Sequence, residues 1–198
     1  MAISKTKIFN MALNELGVSA PIANADAQDD TRAIILRNFF ETSRDEVLKA
    51  FDWNFAEKYR VLTPTSDECL DPRYQYVYDY PNDCLNAREV FAQGGNGDRL
   101  KFKPSSNTSG RKVILATISP IVLRYTRRID NETFFDSEFA AALALYLAGQ
   151  TGKTITGSQQ KADDALKKYW DKVRLSRISN ASEGQEVNED NTTYIDAR

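Results

Sequence analysis

Apolar positions near the start recur in steps of three and four. Ile8, Phe9, Ala12, Leu13 and Leu16 share one helical face, and Gly17 stands where a left-handed cap ends the helix. After the turn-like stretch VSAPIANADAQ, Asp29 or Asp30 caps a longer helix. Ile35, Leu36, Phe39, Phe40, Val47, Leu48 and Phe51 give that helix a broad apolar face, opposite Arg37, Glu41, Arg44 and Lys49.

Between about residues 59 and 128 the period changes from helical to alternating, which predicts strands. In YQYVYDYP the alternation sets Tyr74, Tyr76, Tyr78 and Tyr80 on one face, with Gln75, Val77 and Asp79 on the other. Tyrosine is a good strand former and alternation predicts one face packed on a core, so the tyrosines are expected to pack on a core or a subunit contact, with base stacking as the alternative. AREVFA, RLKFK, RKVILAT and IVLRYTRRI follow, and QGGNGD and PSSNTSG supply turn residues, so a meander of hairpins is expected.

Helical spacing returns at Phe139, Leu143, Tyr146 and Leu147 in an alanine-rich segment, where Gly149 and Gly152 are expected to weaken the helix. Thr156 or Ser158 caps a last helix whose apolar face comprises Ala162, Ala165, Leu166, Tyr169, Trp170 and Val173. Beyond Ile178 the composition is polar and acidic, which predicts an arm that does not fold alone.

The sum is an α+β protein: an antiparallel four-helix bundle with a mostly antiparallel β-domain inserted between helices two and three, and a flexible C-terminal arm. Residues 1–57 and 130–178 form the bundle, 58–129 the inserted β-domain and 179–198 the arm. Trp53 and Phe55 stand where helix gives way to strand, and their rings are expected to bury against both halves as the structural junction.

Composition narrows the chemistry. The chain has 198 residues, 41% of them hydrophobic, enough to bury a core, and a formal net charge of -2, which provides no global attraction for nucleic acid. No stretch suits a secretory signal or a membrane span, so a soluble protein made in a cytoplasm is expected. Cys69 and Cys84 are read as free thiols in a reducing compartment. The histidine count is zero, which removes Ser-His-Asp and Cys-His systems, imidazole zinc sites and the commonest general base.

What chemistry remains is sparse. QGGNGDRL lacks the spacing and the following helix of a phosphate loop and reads as a hairpin turn. The acid pairs Asp29 with Asp30 and Asp163 with Asp164 suit a carboxylate glycosidase in principle, but adjacent acids at helix starts ordinarily complement the dipole. Arg99, Lys101, Lys103, Arg111 and Lys112 make one hairpin basic, as Arg124, Arg127 and Arg128 do the last strand; contact with identical subunits or another protein is the sharper reading. The arm ends in TTYIDAR, whose Tyr194 and Ile195 suit an anchor in a partner groove as well as an ordinary tail.

Taken in order, ALNELG, SRDEVLKAFDWNFA, YVYDYPNDCL, IVLRYTRRI, FFDSEFAAALALYLA and YIDAR resemble the head-to-tail adaptor proteins of short-tailed bacteriophages, often called tail tubular protein A. The resemblance implies a structural, non-enzymatic virion protein of the phage neck, assembled in the host cytoplasm, with no catalytic residue, cofactor or metal. It implies a ring, a dodecamer on the portal protein, that extends the DNA channel and offers a platform to the tail nozzle protein. Genomic DNA would pass through without sequence-specific binding, and no membrane is involved. Portal contact would fall to Tyr194, Ile195 and Arg198, and subunit or nozzle contact to Arg99, Lys101, Lys103, Arg111 and Lys112. The alternatives are another head-completion or tail structural protein, or a carboxylate-dependent carbohydrate hydrolase.

Overall fold

A computed structural model describes residues 3–183. Helices α1 (Lys5–Glu15) and α2 (Thr31–Ala50) come first, and a short 3-10 turn at Asn54–Ala56 leads into the strands. These are β1 (Glu57–Leu62), β2 (Tyr76–Asp79), β3 (Cys84–Ala92), β4 (Phe102–Ser106), β5 (Lys112–Ala116) and β6 (Ile121–Arg127). Helices α3 (Ser137–Thr156) and α4 (Gln159–Glu183) follow. The caps are local chemistry. Ser4 accepts from the Lys7 amide, Asp30 from the Arg32 amide, and Ser158 from the Lys161 amide. Gly17 and Gly157 close α1 and α3 with φ of 70° and 73°.

The α+β character holds, but the expected four-helix bundle with a β-domain inserted between helices two and three does not. Helix α3 is a hub on which α1, α2 and α4 all pack, and these three share no comparable contact with one another. The reason lies in α3 itself. Phe139, Ala140, Ala142, Leu143, Ala144, Leu147, Ala148, Gly149, Thr151 and Gly152 are all buried, so the helix is covered round most of its circumference. A four-helix bundle needs four helices with one apolar stripe each, and a helix apolar on most sides belongs in the middle. α3 runs unbroken through Gly149 and Gly152. A β-carbon on Gly149 would lie 2.5 Å from the Leu166 side chain, and one on Gly152 would lie 2.8 Å from Leu16 and 3.1 Å from the Ala162 backbone. Both glycines therefore let α4 and α1 approach α3 closely.

The strands form no single meander. They divide into two antiparallel sheets, ordered β1-β6-β3 and β2-β5-β4, which sandwich Leu62, Tyr78, Val90, Ile114, Leu123 and Tyr125. Two facing sheets bury both sets of inward side chains, which one flat meander leaves half exposed. Tyr78 is fully buried, its hydroxyl donating to the Ile118 carbonyl at 2.6 Å. Tyr76 and Tyr80 pack beside it, whereas Tyr74, expected on the same face, precedes β2 and sits on the opposite side against Val77, Val113 and Leu115. Helix α4 runs through Glu183, past the arm boundary expected at residue 179.

Trp53 joins the two halves. It is buried, its indole Nε1 donates to the Val47 carbonyl at 2.9 Å, and its ring meets Phe51 and Phe139 edge-on at 5.0 and 5.3 Å. Phe55 lies 5.1 Å from Phe139, which lies 4.7 Å from Phe135. The cluster therefore combines the end of α2, the entry to β1 and the start of α3. Replacing Trp53 with Ala empties this volume and leaves a helix carbonyl without its donor, so denaturant titration should show a loss of about 3 to 5 kcal/mol.

Candidate interaction surfaces

Alternation along β1 sends Leu62 inward, and Lys58 and Arg60 follow the same parity. Lys58 donates to Asp83 at 2.8 Å, and Asp83 also accepts from the Tyr125 hydroxyl at 3.0 Å. Burial alone would raise the Asp83 carboxyl, but these two hydrogen bonds outweigh it and hold the group below its ordinary range. Arg60, one step further from the helices, is exposed at the mouth of a cleft of about 710 Å³. Residues 60–63 form one wall, residues 79–82 another, and Cys84, Arg111 and Lys112 complete it. Lys112 sits 4.4 Å over the Tyr80 ring, a cation–π contact that leaves its charge uncancelled. Arg111 reaches Asp79 and Asp67 only at 3.6 and 3.7 Å. The cleft is therefore basic, with Asp79 its one acidic lining residue.

The outer face of the β1-β6-β3 sheet holds a different arrangement. Arg124, central on β6, donates to Glu57 and Glu89 at 2.7 and 3.1 Å and pairs with Asp52 at 3.0 Å. Burial by itself would lower its guanidinium pKa, but Glu57, Asp52 and Glu89 more than reverse this and raise it. Arg88 on β3 donates to Thr126 and to the Lys49 and Phe51 carbonyls at the end of α2. Further along the same face the register aligns Val61, Val122 and Phe91 in an apolar row. Val61 is 49% exposed and the neighbouring Tyr59 is 55% exposed.

The helices expose large rings as well. Tyr169 packs between Tyr146 of α3 and Trp170, each at 5.0 Å. Trp170 is 60% exposed and Phe39 of α2 is 41% exposed. Trp170 was expected among the buried face of α4. The buried stripe is Ala162, Ala165, Tyr169, Val173 and Ser176, and Trp170 lies about 100° round the helix from Tyr169, outside that stripe.

The basic hairpin residues meet different surroundings. Arg99 pairs with Glu89 at 2.8 Å and Lys103 with Asp71 at 3.1 Å, Lys101 is exposed, and Arg111 and Lys112 line the cleft. Asp71 is held well below the usual carboxylate range, first by Arg73 and then by Lys103. Trp53 and Phe55 lie between α2 and β1, their rings 6.4 Å apart. Tyr194, Ile195 and Arg198 lie outside the described residues. The acid pairs go to helix chemistry: Asp30 accepts from Arg32, and Asp163 and Asp164 accept from the Gln159 and Gln160 amides one turn earlier. Sequence reasoning missed Arg60, Tyr59 and Val61. Only their place on the first strand, with no earlier strand to pair with, signalled an open edge.

Both cysteines are free, Cys69 partly exposed and Cys84 buried. Burial pushes the Cys84 thiol up to about 11, so it stays protonated near neutrality. Iodoacetamide at neutral pH should therefore label Cys69 first and Cys84 only on unfolding, as mass spectrometry of the peptides will show. No protein-family model matches the chain, and no curated protein matches it significantly.

Proposed function

We propose that this chain is a structural virion protein, a head-to-tail adaptor that forms a ring under the portal, extends the DNA channel and provides the docking platform for the tail nozzle. One observation carries the reading: large apolar side chains stand exposed on regular elements both of the helices and of a sheet. Phe39 and Trp170 are exposed on two of the helices, and Tyr59 and Val61 on the first strand. Rigid, exposed aromatics on helices and strands suit protein contacts. A connector between two assemblies needs two such surfaces. The order of segments that resembles phage adaptors points the same way.

In this reading the helical surface meets neighbouring copies, the sheet surface meets the nozzle, and Tyr194, Ile195 and Arg198 meet the portal. Individual contacts are small, so a portal ring that presents many sites at once multiplies them. The protein alone should be a monomer or weak oligomer by light scattering. Mixed with the portal of its own phage it should add a ring visible by electron microscopy. A portal that stays bare at saturating protein, or a stable large ring without portal, contradicts the proposal.

A further inference from the structure

Most cations of the sheets are spent inside the molecule. Lys58, Arg88, Arg99, Lys103, Arg124 and Arg128 each pair with a carboxylate. The cleft beside β1 differs. Arg60 and Lys112 have no carboxylate partner among the described residues, and Arg111 meets Asp79 and Asp67 only at 3.6 and 3.7 Å, beyond ordinary hydrogen-bond length. These three side chains line one cavity in which Asp79 is the only lining carboxylate. Like charges gathered in a cleft repel one another and attract an anion. Two of them are held in place. Arg111 stands between its two distant carboxylates, and Lys112 lies 4.4 Å over the Tyr80 ring, whose hydroxyl accepts from the Ala87 amide at 3.1 Å. Their charged N–H donors are positioned yet unspent.

We infer that this cleft binds an acidic, partly apolar peptide segment of a partner protein, whose carboxylates accept from Arg60, Arg111 and Lys112. At about 710 Å³ the cleft would hold a lone inorganic anion only loosely. The wall formed by residues 60–63 runs about 13 Å, the length of about four extended residues. Leu62, Pro81 and Cys84 also line the cleft and are buried, so its floor is apolar beneath a cationic rim. Apolar side chains set between acidic ones match both levels, whereas a bare chain of phosphates matches only the rim. Nucleic acid also lacks a stacking platform here, because Tyr80 lies under Lys112 and packs against the core between the sheets. The formal net charge of -2 adds no long-range pull on a polyphosphate. Arg60 and Arg111 each offer a planar fork that can donate two parallel hydrogen bonds to one carboxylate. Peptide binding stands on the isolated protein. The source of the segment, the nozzle protein, rests on the adaptor reading.

Amide NMR of the full-length protein at low salt tests this with a synthetic peptide, acetyl-Glu-Leu-Glu-Phe-Glu-Leu-amide. Added peptide should shift the amides of residues 60–63, 79–84 and 111–112, and the affinity should fall as salt is raised. Arg60→Glu combined with Lys112→Glu should weaken binding about tenfold or more. The counterpart peptide with lysine for each glutamate should bind that variant and not the natural protein, a rescue that a misfolded variant would not show. No saturable shift at these residues with millimolar peptide overturns the inference. Tighter binding of sodium tripolyphosphate or a short oligothymidylate in the cleft also overturns it, because the ligand is then a phosphate chain. So does light scattering that shows self-association abolished by the same charge reversal, because the occupant is then a second copy. Peptide binding beside a portal that stays bare supports the cleft and contradicts the adaptor reading. A ring on the portal without peptide binding supports the adaptor reading and overturns the cleft.

Discussion

Everything else in this fold depends on one packed cluster of rings. The chain leaves α2 at Phe51, turns through Trp53 and Phe55, and enters β1 within a few residues. Without an anchor that turn would be a hinge. Trp53 fixes it twice, by an indole hydrogen bond back to α2 and by edge-on contact with Phe139 of α3. Phe135, just before α3, closes the cluster from the returning end of the chain. The two places where the chain crosses between helices and sheets are thus held by the same group of side chains.

Charges surround that apolar weld and aim it. Arg88 caps the end of α2 with hydrogen bonds to its last carbonyls, where a cation also suits the helix dipole. Arg44, almost buried, pairs with Asp45 and with Asp130 just past β6, while Arg128 reaches Asp45 at 2.8 Å. Breaking one partner of such a pair would leave a costly unpaired charge, so the network selects one orientation of helix against sheet more than it adds stability. With that orientation set, Trp170 and Phe39 stand exposed on the helices, Tyr59 and Val61 on β1, and the basic cleft opens beside β1.

Much of this was legible in residue order. The first two helices, a cap at Asp29 or Asp30 and the Gly17 stop follow from spacing and side-chain type alone. Strand positions were legible too, because alternation is a local property. Strand partners were not: which of two sheets β4 or β6 joins depends on long-range burial, and the glycine turns permit hairpins without requiring them. The expected bundle failed for a related reason. Four apolar patterns in a row suggest four equivalent helices, and only the buried circumference of α3 shows that one is central. Local counting also placed Trp170 in the core, one residue from the true stripe, and grouped the basic hairpin residues that internal carboxylates divide. The cleft was invisible because Arg60 is far in the chain from Arg111 and Lys112, and they come together only across two sheets.

The central claim is that the Trp53 cluster makes helices and sheets one cooperative structure. Equilibrium urea unfolding followed by two probes tests it directly: helical ellipticity for α1 to α4, and Trp53 fluorescence in a Trp170→Phe background for the junction. A third reporter on β6, such as the NMR signal of Ile121, follows the sheets. The account predicts coincident transitions with one midpoint. A sheet signal that melts at a separate midpoint while helical ellipticity persists would contradict it, and would show the two parts to be joined by the chain but not welded by its rings.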